Sequence, residues 1–285
     1  MIQKYILFIF LFLQFSVFAQ EKPEPKLIAE VEGLAHPESI VYDETRDNLY
    51  VSVMADKEEG DGSIAIVSPE GQIKNAEFVT GLNNPKGIAL YENKLYVSDV
   101  TFLYEIDLDS GKILNKYTGE NARSLNDVAL DQEGNVYVSD MGNSSIYKLD
   151  SEGNFKEWLS TSELQTPNGL LFDEADLYIA GWASDATKDS ENPMGGFMKI
   201  ANSSDTIEKL TEELGNLDGI QKYDDDSFLV SDWNSGNIYR ISKAGEVKPI
   251  LKVEKSVGDI LYVPQKNMLA LPMNFQNKLM IYSYE

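Results

Sequence analysis

Leu125-Asn126-Asp127-Val128-Ala129-Leu130, Asp131-Gln132-Glu133-Gly134, Asn135-Val136-Tyr137-Val138-Ser139-Asp140 is the stretch that decides the fold. A polar pair opens a short apolar run over 126–130. A Gly-containing turn follows, then a strand over 135–140 in which Val136 and Val138 alternate with Tyr137 and Ser139. Residues 141–144 turn again, 145–149 read as a third strand, 150–153 as a turn, and 155–159 as a fourth strand. Hairpin-sized spacing and Gly, Asp and Asn turns predict one antiparallel four-stranded unit.

The same phrase recurs six times, beginning at Glu38, Lys86, Asn126, Asn168, Asp218 and Gly258, at spacings of 48, 40, 42, 50 and 40 residues. The fifth copy repeats the third closely, with strands over 219–222, 227–232, 237–241 and 247–251. Short strands at such a period predict a β-propeller. The last copy offers three strands, ending over 279–284, and its missing fourth is expected from residues 26–31. Pairing the two ends of the chain removes an open sheet edge. The expected fold is therefore all-β: a six-bladed β-propeller over residues 27–285, closed by pairing of its N- and C-terminal strands.

Residues 1–19 stand outside that pattern. Lys4 is the only charge before an apolar run over 5–13, and Val17-Phe18-Ala19 suits signal cleavage before Gln20. This reads as a secretory signal peptide, and Pro-rich 20–26 as a flexible leader. A periplasmic or secreted protein with no membrane span after cleavage follows. With no cysteine in the chain, disulfides and a lipid-anchoring cysteine are excluded, so core packing and ring closure must hold the fold. A formal net charge of −23 disfavours nucleic acid and anionic lipid as partners. A monomer acting on a small molecule is expected.

Equivalent positions of a propeller converge on its axis, and four of the six here carry oxygen donors: Glu38, Asn126, Asn168 and Asp218. Two carboxylates and two amide carbonyls form a hard donor set that suits Ca²⁺, or another divalent cation, better than Zn²⁺. Asn and Asp before Gly also serve as ordinary turn residues, which would account for Asn168 and Asp218 separately but not for Glu38. Long segments over 54–62 and 182–196 each follow a second strand and are expected to rim the face of these residues. Trp182, Trp233, Met141, Phe102 and Met273 follow second strands as well and are candidates for an apolar rim. Asp99, Asp140 and Asp232 close second strands too regularly for catalysis and read as turn-bonding groups. His36, the only histidine, reads as structural. No Gly-x-Ser-x-Gly elbow is present.

Glu38-Ser-Ile-Val-Tyr-Asp43, Leu125-Asn-Asp127, Pro167-Asn-Gly-Leu170 and Leu217-Asp-Gly-Ile220 resemble the signature segments of the gluconolactonase/regucalcin/luciferin-regenerating family. The resemblance spans about residues 27–285. It implies a six-bladed propeller that binds a divalent cation through Glu38, Asn126, Asn168 and Asp218. It further implies hydrolysis of a lactone or ester, with the cation polarising the carbonyl and Asp218 as general base. Asp127, next to a ligand, is expected to face the other side of its strand and brace the site. The chain departs from the family at Lys86, where gluconolactonases carry Asn. It departs again at Ser124, where the regucalcin branch carries Arg and this chain has Arg123 one residue earlier. Lys86, Arg123 and Trp182 are therefore the candidate substrate contacts: Lys86 as a clamp for an anionic group, or else as a partner of a rim acid such as Asp99. The alternative function is a non-catalytic propeller of NHL-like repeats that binds a ligand or protein on its top face, with a structural cation.

Overall fold

A computed structural model describes residues 25–56, 59–201 and 206–284. The signal peptide expected over 1–19 and most of the leader expected over 20–26 lie outside the described residues. Six four-stranded antiparallel sheets follow one another around an axis, so the six-bladed propeller is confirmed. The innermost strands are Pro37–Asp43, Pro85–Tyr91, Leu125–Leu130, Pro167–Asp173, Leu217–Asp224 and, in the sixth blade, the short Leu261–Val263. Two single-turn 3-10 segments, Ser162–Leu164 and Pro264–Lys266, are the helical elements among the described residues. None of these residues forms a helix long and apolar enough to cross a membrane.

The Tyr-Val pair of the second strands explains how the blades stack. Tyr50, Tyr96, Tyr137 and Tyr178 each pack into the seam with the following blade, while Val51, Val97, Val138 and Ile179 pack into the seam with the preceding one. Successive side chains of a strand face opposite sides, so two adjacent apolar residues feed two seams. Six buried clusters result, one per seam. Closure occurs in the sixth blade. Lys26–Glu32 pairs antiparallel with Lys278–Ser283, from Lys26 opposite Ser283 to Glu32 opposite Lys278, as the outermost strand of that sheet. Lys26 thus belongs to this strand rather than to the leader.

Val31 lies in the cluster that joins the sixth blade to the first. A chain beginning at Gly33 should therefore melt about 10 °C or more below one beginning at Lys26, since a few kcal/mol of strand pairing and burial disappear. Equal melting temperatures would place the closure elsewhere.

Candidate metal centre and cavity

Near the axis, every innermost strand of the first five blades breaks register with its neighbour across two residues. The breaks fall between Pro37 and Ile40, Pro85 and Ile88, Leu125 and Val128, Pro167 and Leu170, and Leu217 and Ile220. Each skipped pair holds one of the recurring polar residues, and such bulges re-aim side chains. Two rings result: Glu38, Lys86, Asn126, Asn168, Asp218 and Gly258, then Ser39, Gly87, Asp127, Gly169, Gly219 and Asp259. The turn reading of Asn168-Gly169 and Asp218-Gly219 fails, because both pairs lie inside strands. Their glycines answer to the next blade: a Cβ on Gly169 would sit 1.9 Å from the Asp218 carbonyl oxygen, and one on Gly219 2.3 Å from Asp259 Oδ1.

Second-strand serines hold these bulges. Ser139 Oγ accepts from Asp127 N (2.9 Å) and donates to the Asn168 carbonyl of the next blade (2.7 Å). Ser231 Oγ accepts from Gly219 N and donates to the Gly258 carbonyl, both at 2.8 Å. Ser98 Oγ donates to the Asn126 carbonyl, and Ser52 Oγ accepts from Ser39 N. The aspartates that close second strands cap the entering loops. Asp99 accepts from the N–H groups of Asn83 and Asn84, Asp140 from Arg123 and Ser124, and Asp232 from Asn216. Asp99 is thereby engaged by backbone and is not the partner suggested for Lys86. Ser139→Ala should cost about 1–3 kcal/mol in denaturant unfolding, because it orphans one buried donor and one buried acceptor. A loss under ~0.5 kcal/mol would deny the staple.

Glu38, Asn126, Asn168 and Asp218 are all buried, and with Lys86 they line one cavity of about 770 Å³. The structure thus brings together the four expected ligands. Asn126 Nδ2 donates to Asn168 Oδ1 at 2.5 Å, and Asn168 Nδ2 to the Leu217 carbonyl at 3.2 Å. Glu38 Oε2 is buried without a hydrogen-bond partner. Burial pushes the Glu38 carboxyl up to about 7, with Lys86 pulling it down and Asp127 pushing it further up. Burial also lifts Asp218 well above the carboxylate range, helped by Glu38 and Asp127 and opposed by the Asn168 amide and Lys86. A buried carboxylate oxygen left without a donor is open to a proton or to a cation. No three carboxylate or imidazole groups converge on one point among the described residues, so a cation here relies on the two amide oxygens. The donor set fits a hard, oxygen-seeking ion.

Asp127 does not line the cavity that holds Glu38, Asn126, Asn168 and Asp218. It is buried within the bulge, where Oδ2 accepts from Leu170 N of the next blade and Oδ1 from Val128 N, both at 2.6 Å. Its bracing role follows from those bonds. Asp259, given no role by the sequence reading, completes this second ring: its Oδ2 accepts from Ser39 Oγ at 2.7 Å, and its N–H donates to the Glu38 carbonyl. Its place one residue after Gly258, matching Asp127 after Asn126, was the available signal.

Trp182, Trp233 and Met141 line the cavity, joined by Met54 and Phe275. Met54–Asp56 and Trp182, from the two long segments, stand at its rim as expected. Met273 and Phe102 do not line it: Met273 is fully buried between the last two blades, and Phe102 packs at the seam of the first two. Arg123 is exposed and contributes only its backbone N–H to Asp140, while Ser124 takes the lining position. His36 lines the cavity in a left-handed conformation (φ 53°), with Nδ1 3.2 Å from Asn274 Oδ1.

Residues 36–258 match the SMP-30/gluconolactonase/LRE-like region. The chain belongs to that family. Solved structures share the fold. A gluconolactonase of Xanthomonas campestris superposes with a TM-score of 0.67 at 13% identity, over 93% of this chain and 96% of that one. A streptogramin B lyase gives 0.65 at 13% identity, over 90% and 97%. A catalytically inactive histidine-to-alanine variant of virginiamycin B lyase from Staphylococcus aureus, solved with quinupristin, gives 0.61 at 14%, over 91% and 99%. No curated protein matches the chain in sequence. Family membership supports a hydrolase of the lactonase type in general terms, and the lyases show that other chemistry uses the same frame.

Proposed function

We propose that this family member hydrolyses lactones, or closely related esters, with a divalent cation of the Ca²⁺ class held by Glu38, Asn126, Asn168 and Asp218. The unpartnered, buried Glu38 Oε2 on the floor of a substrate-sized cavity carries the reading. When bound, such a cation supplies Lewis-acid polarisation of the substrate carbonyl. The chain's own groups do the remainder. Asp218 takes a proton from water as the water oxygen bonds to the carbonyl carbon. It then returns a proton to the ring oxygen as the lactone C–O bond breaks, leaving a hydroxy acid. A carboxyl lifted by burial is a stronger base than an exposed one, which suits Asp218 to that task. Lys86, on the same floor, offers a positive charge to an anionic substituent or to the carboxylate product.

We further propose, from residues 1–19, that the protein is exported and begins at Gln20 when mature; N-terminal sequencing of the exported protein checks this. A panel of lactones and esters assayed with Ca²⁺ and with chelator tests the function. Turnover should appear with the cation and vanish with chelator. No turnover across the panel, together with binding of a sugar, nucleotide or protein on the cavity face, would install the non-catalytic propeller instead.

A further inference from the structure

The cavity is chemically divided. Its floor is charged and amidic, whereas its wall is built largely of Met54, Met141, Trp182, Trp233 and Phe275. Four of these five are the first residue after a second strand, and Phe275 is the second residue after Met273 in the sixth blade. One repeat position thus encodes an apolar crown around a polar floor. Trp182 and Trp233 lie 6.2 Å apart at 57°, and Trp233 and Phe275 5.6 Å apart at 85°, an arc across three adjacent blades. Phe275 is 56% exposed, so its contact with Trp233 leaves much of the ring uncovered beside the cavity.

Polar groups near the wall are largely engaged by the protein itself. Asn274 Oδ1 meets His36 Nδ1, and Asn274 Nδ2 donates to the Pro37 carbonyl at 3.2 Å and to Met54 Sδ at 3.4 Å. Hydroxyls pressed against the Trp182–Trp233–Phe275 arc would surrender their water and find ring faces in place of hydrogen-bonding partners, a loss that a buried polar group feels strongly. An apolar substituent would instead cover the exposed rings. At ~30 Å³ per water, the cavity holds about 25 water volumes, which leaves room above the floor beyond a bare lactone ring.

We propose that the substrate is a lactone carrying an alkyl or aryl substituent, seated with its ring on the polar floor and its substituent against the Trp182–Trp233–Phe275 arc, and is not a polyhydroxylated sugar lactone. This rests on the hydrolase reading. Binding of unreactive analogues separates the two. Cation-loaded protein is titrated with 5-phenyl-2-pyrrolidinone and with gluconolactam, followed by tryptophan emission, while γ-phenyl-γ-butyrolactone, γ-butyrolactone and glucono-δ-lactone are assayed for turnover. The phenyl lactam should bind at least about tenfold more tightly than gluconolactam, and kcat/KM should rank the phenyl lactone first. Trp233→Ala, and Phe275→Ala at its exposed turn should the first variant fold poorly, should lower kcat/KM for the phenyl lactone at least about tenfold more than for the unsubstituted ring. Equal or tighter binding of gluconolactam, or equal losses on both lactones, would overturn the inference. Preferential binding of the phenyl lactam with no lactone hydrolysed would uphold the ligand class and remove the hydrolase reading.

Discussion

Saturating Ca²⁺ should raise the melting temperature of the chelator-treated protein by about 5–10 °C at pH 7.5. A ligand at a hundred times its Kd stabilises by about 2.7 kcal/mol, and a domain of this size gains about 2–4 °C per kcal/mol. The sign with pH follows from the floor. Burial holds Glu38 up at about 7 and lifts Asp218 as well. Between roughly pH 4.5 and 7 the folded, cation-free chain therefore keeps protons that the unfolded chain has released, so its stability falls as pH rises. A cation held there as proposed would need the ionised carboxylates, so its stabilising effect should grow across the same interval. Near pH 5 the shift should be small. A melting temperature unmoved by Ca²⁺ at pH 7.5 would remove the proposed site.

Asp218→Asn and Glu38→Ala should separate two roles on that floor. Asn at 218 keeps an oxygen donor but cannot accept the proton from water, so kcat should fall about 10²–10⁴-fold. The thermal shift with Ca²⁺ should survive, though weakened. Glu38→Ala deletes the unpartnered carboxylate oxygen and should abolish the thermal shift and the turnover together. Measuring kcat against lactone beside the Ca²⁺-dependent melting shift reads both roles in one preparation. If Asp218→Asn loses the shift as completely as Glu38→Ala while both keep turnover, neither residue does what is proposed.

The blade repeat was readable in the chain because its signals are local. Gly, Asp and Asn turns fall at hairpin distances, and the apolar pair of each second strand is demanded by two seams at once. Ring closure followed from the three strands of the last repeat. The four oxygen donors were readable through their shared register. The break in pairing between Leu125 and Val128 is not legible in the sequence, and it is there that Asp127 meets the Leu170 N–H of the next blade. Asp259 is hidden because its repeat opens with Gly258, which carries no donor to mark the register. Proximity to a second strand is too loose a criterion for Phe102 and Met273. The structure shows that the residue immediately after the strand reaches the cavity in four blades, whereas Met273 still belongs to its strand and Phe102 already begins the next.

The serine hydroxyls of the second strands have a consequence for how such a protein can change. Ser98, Ser139 and Ser231 each grip the backbone carbonyl of the axial residue in the following blade, and none touches that residue's side chain in doing so. Those grips on the frame around the axis therefore do not depend on which side chain Asn126 or Asn168 displays. Lys86 and Gly258 already occupy two of the six places without disturbing the ring. Gly258 is fixed by the Glu38 carbonyl, which a Cβ there would meet at 2.4 Å, but Lys86 is free to vary: Lys86→Asn should alter which molecules are processed while leaving the unfolding midpoint within about 2 °C. Diversity of reaction on one unaltered scaffold would then be a property of where the serines hold on.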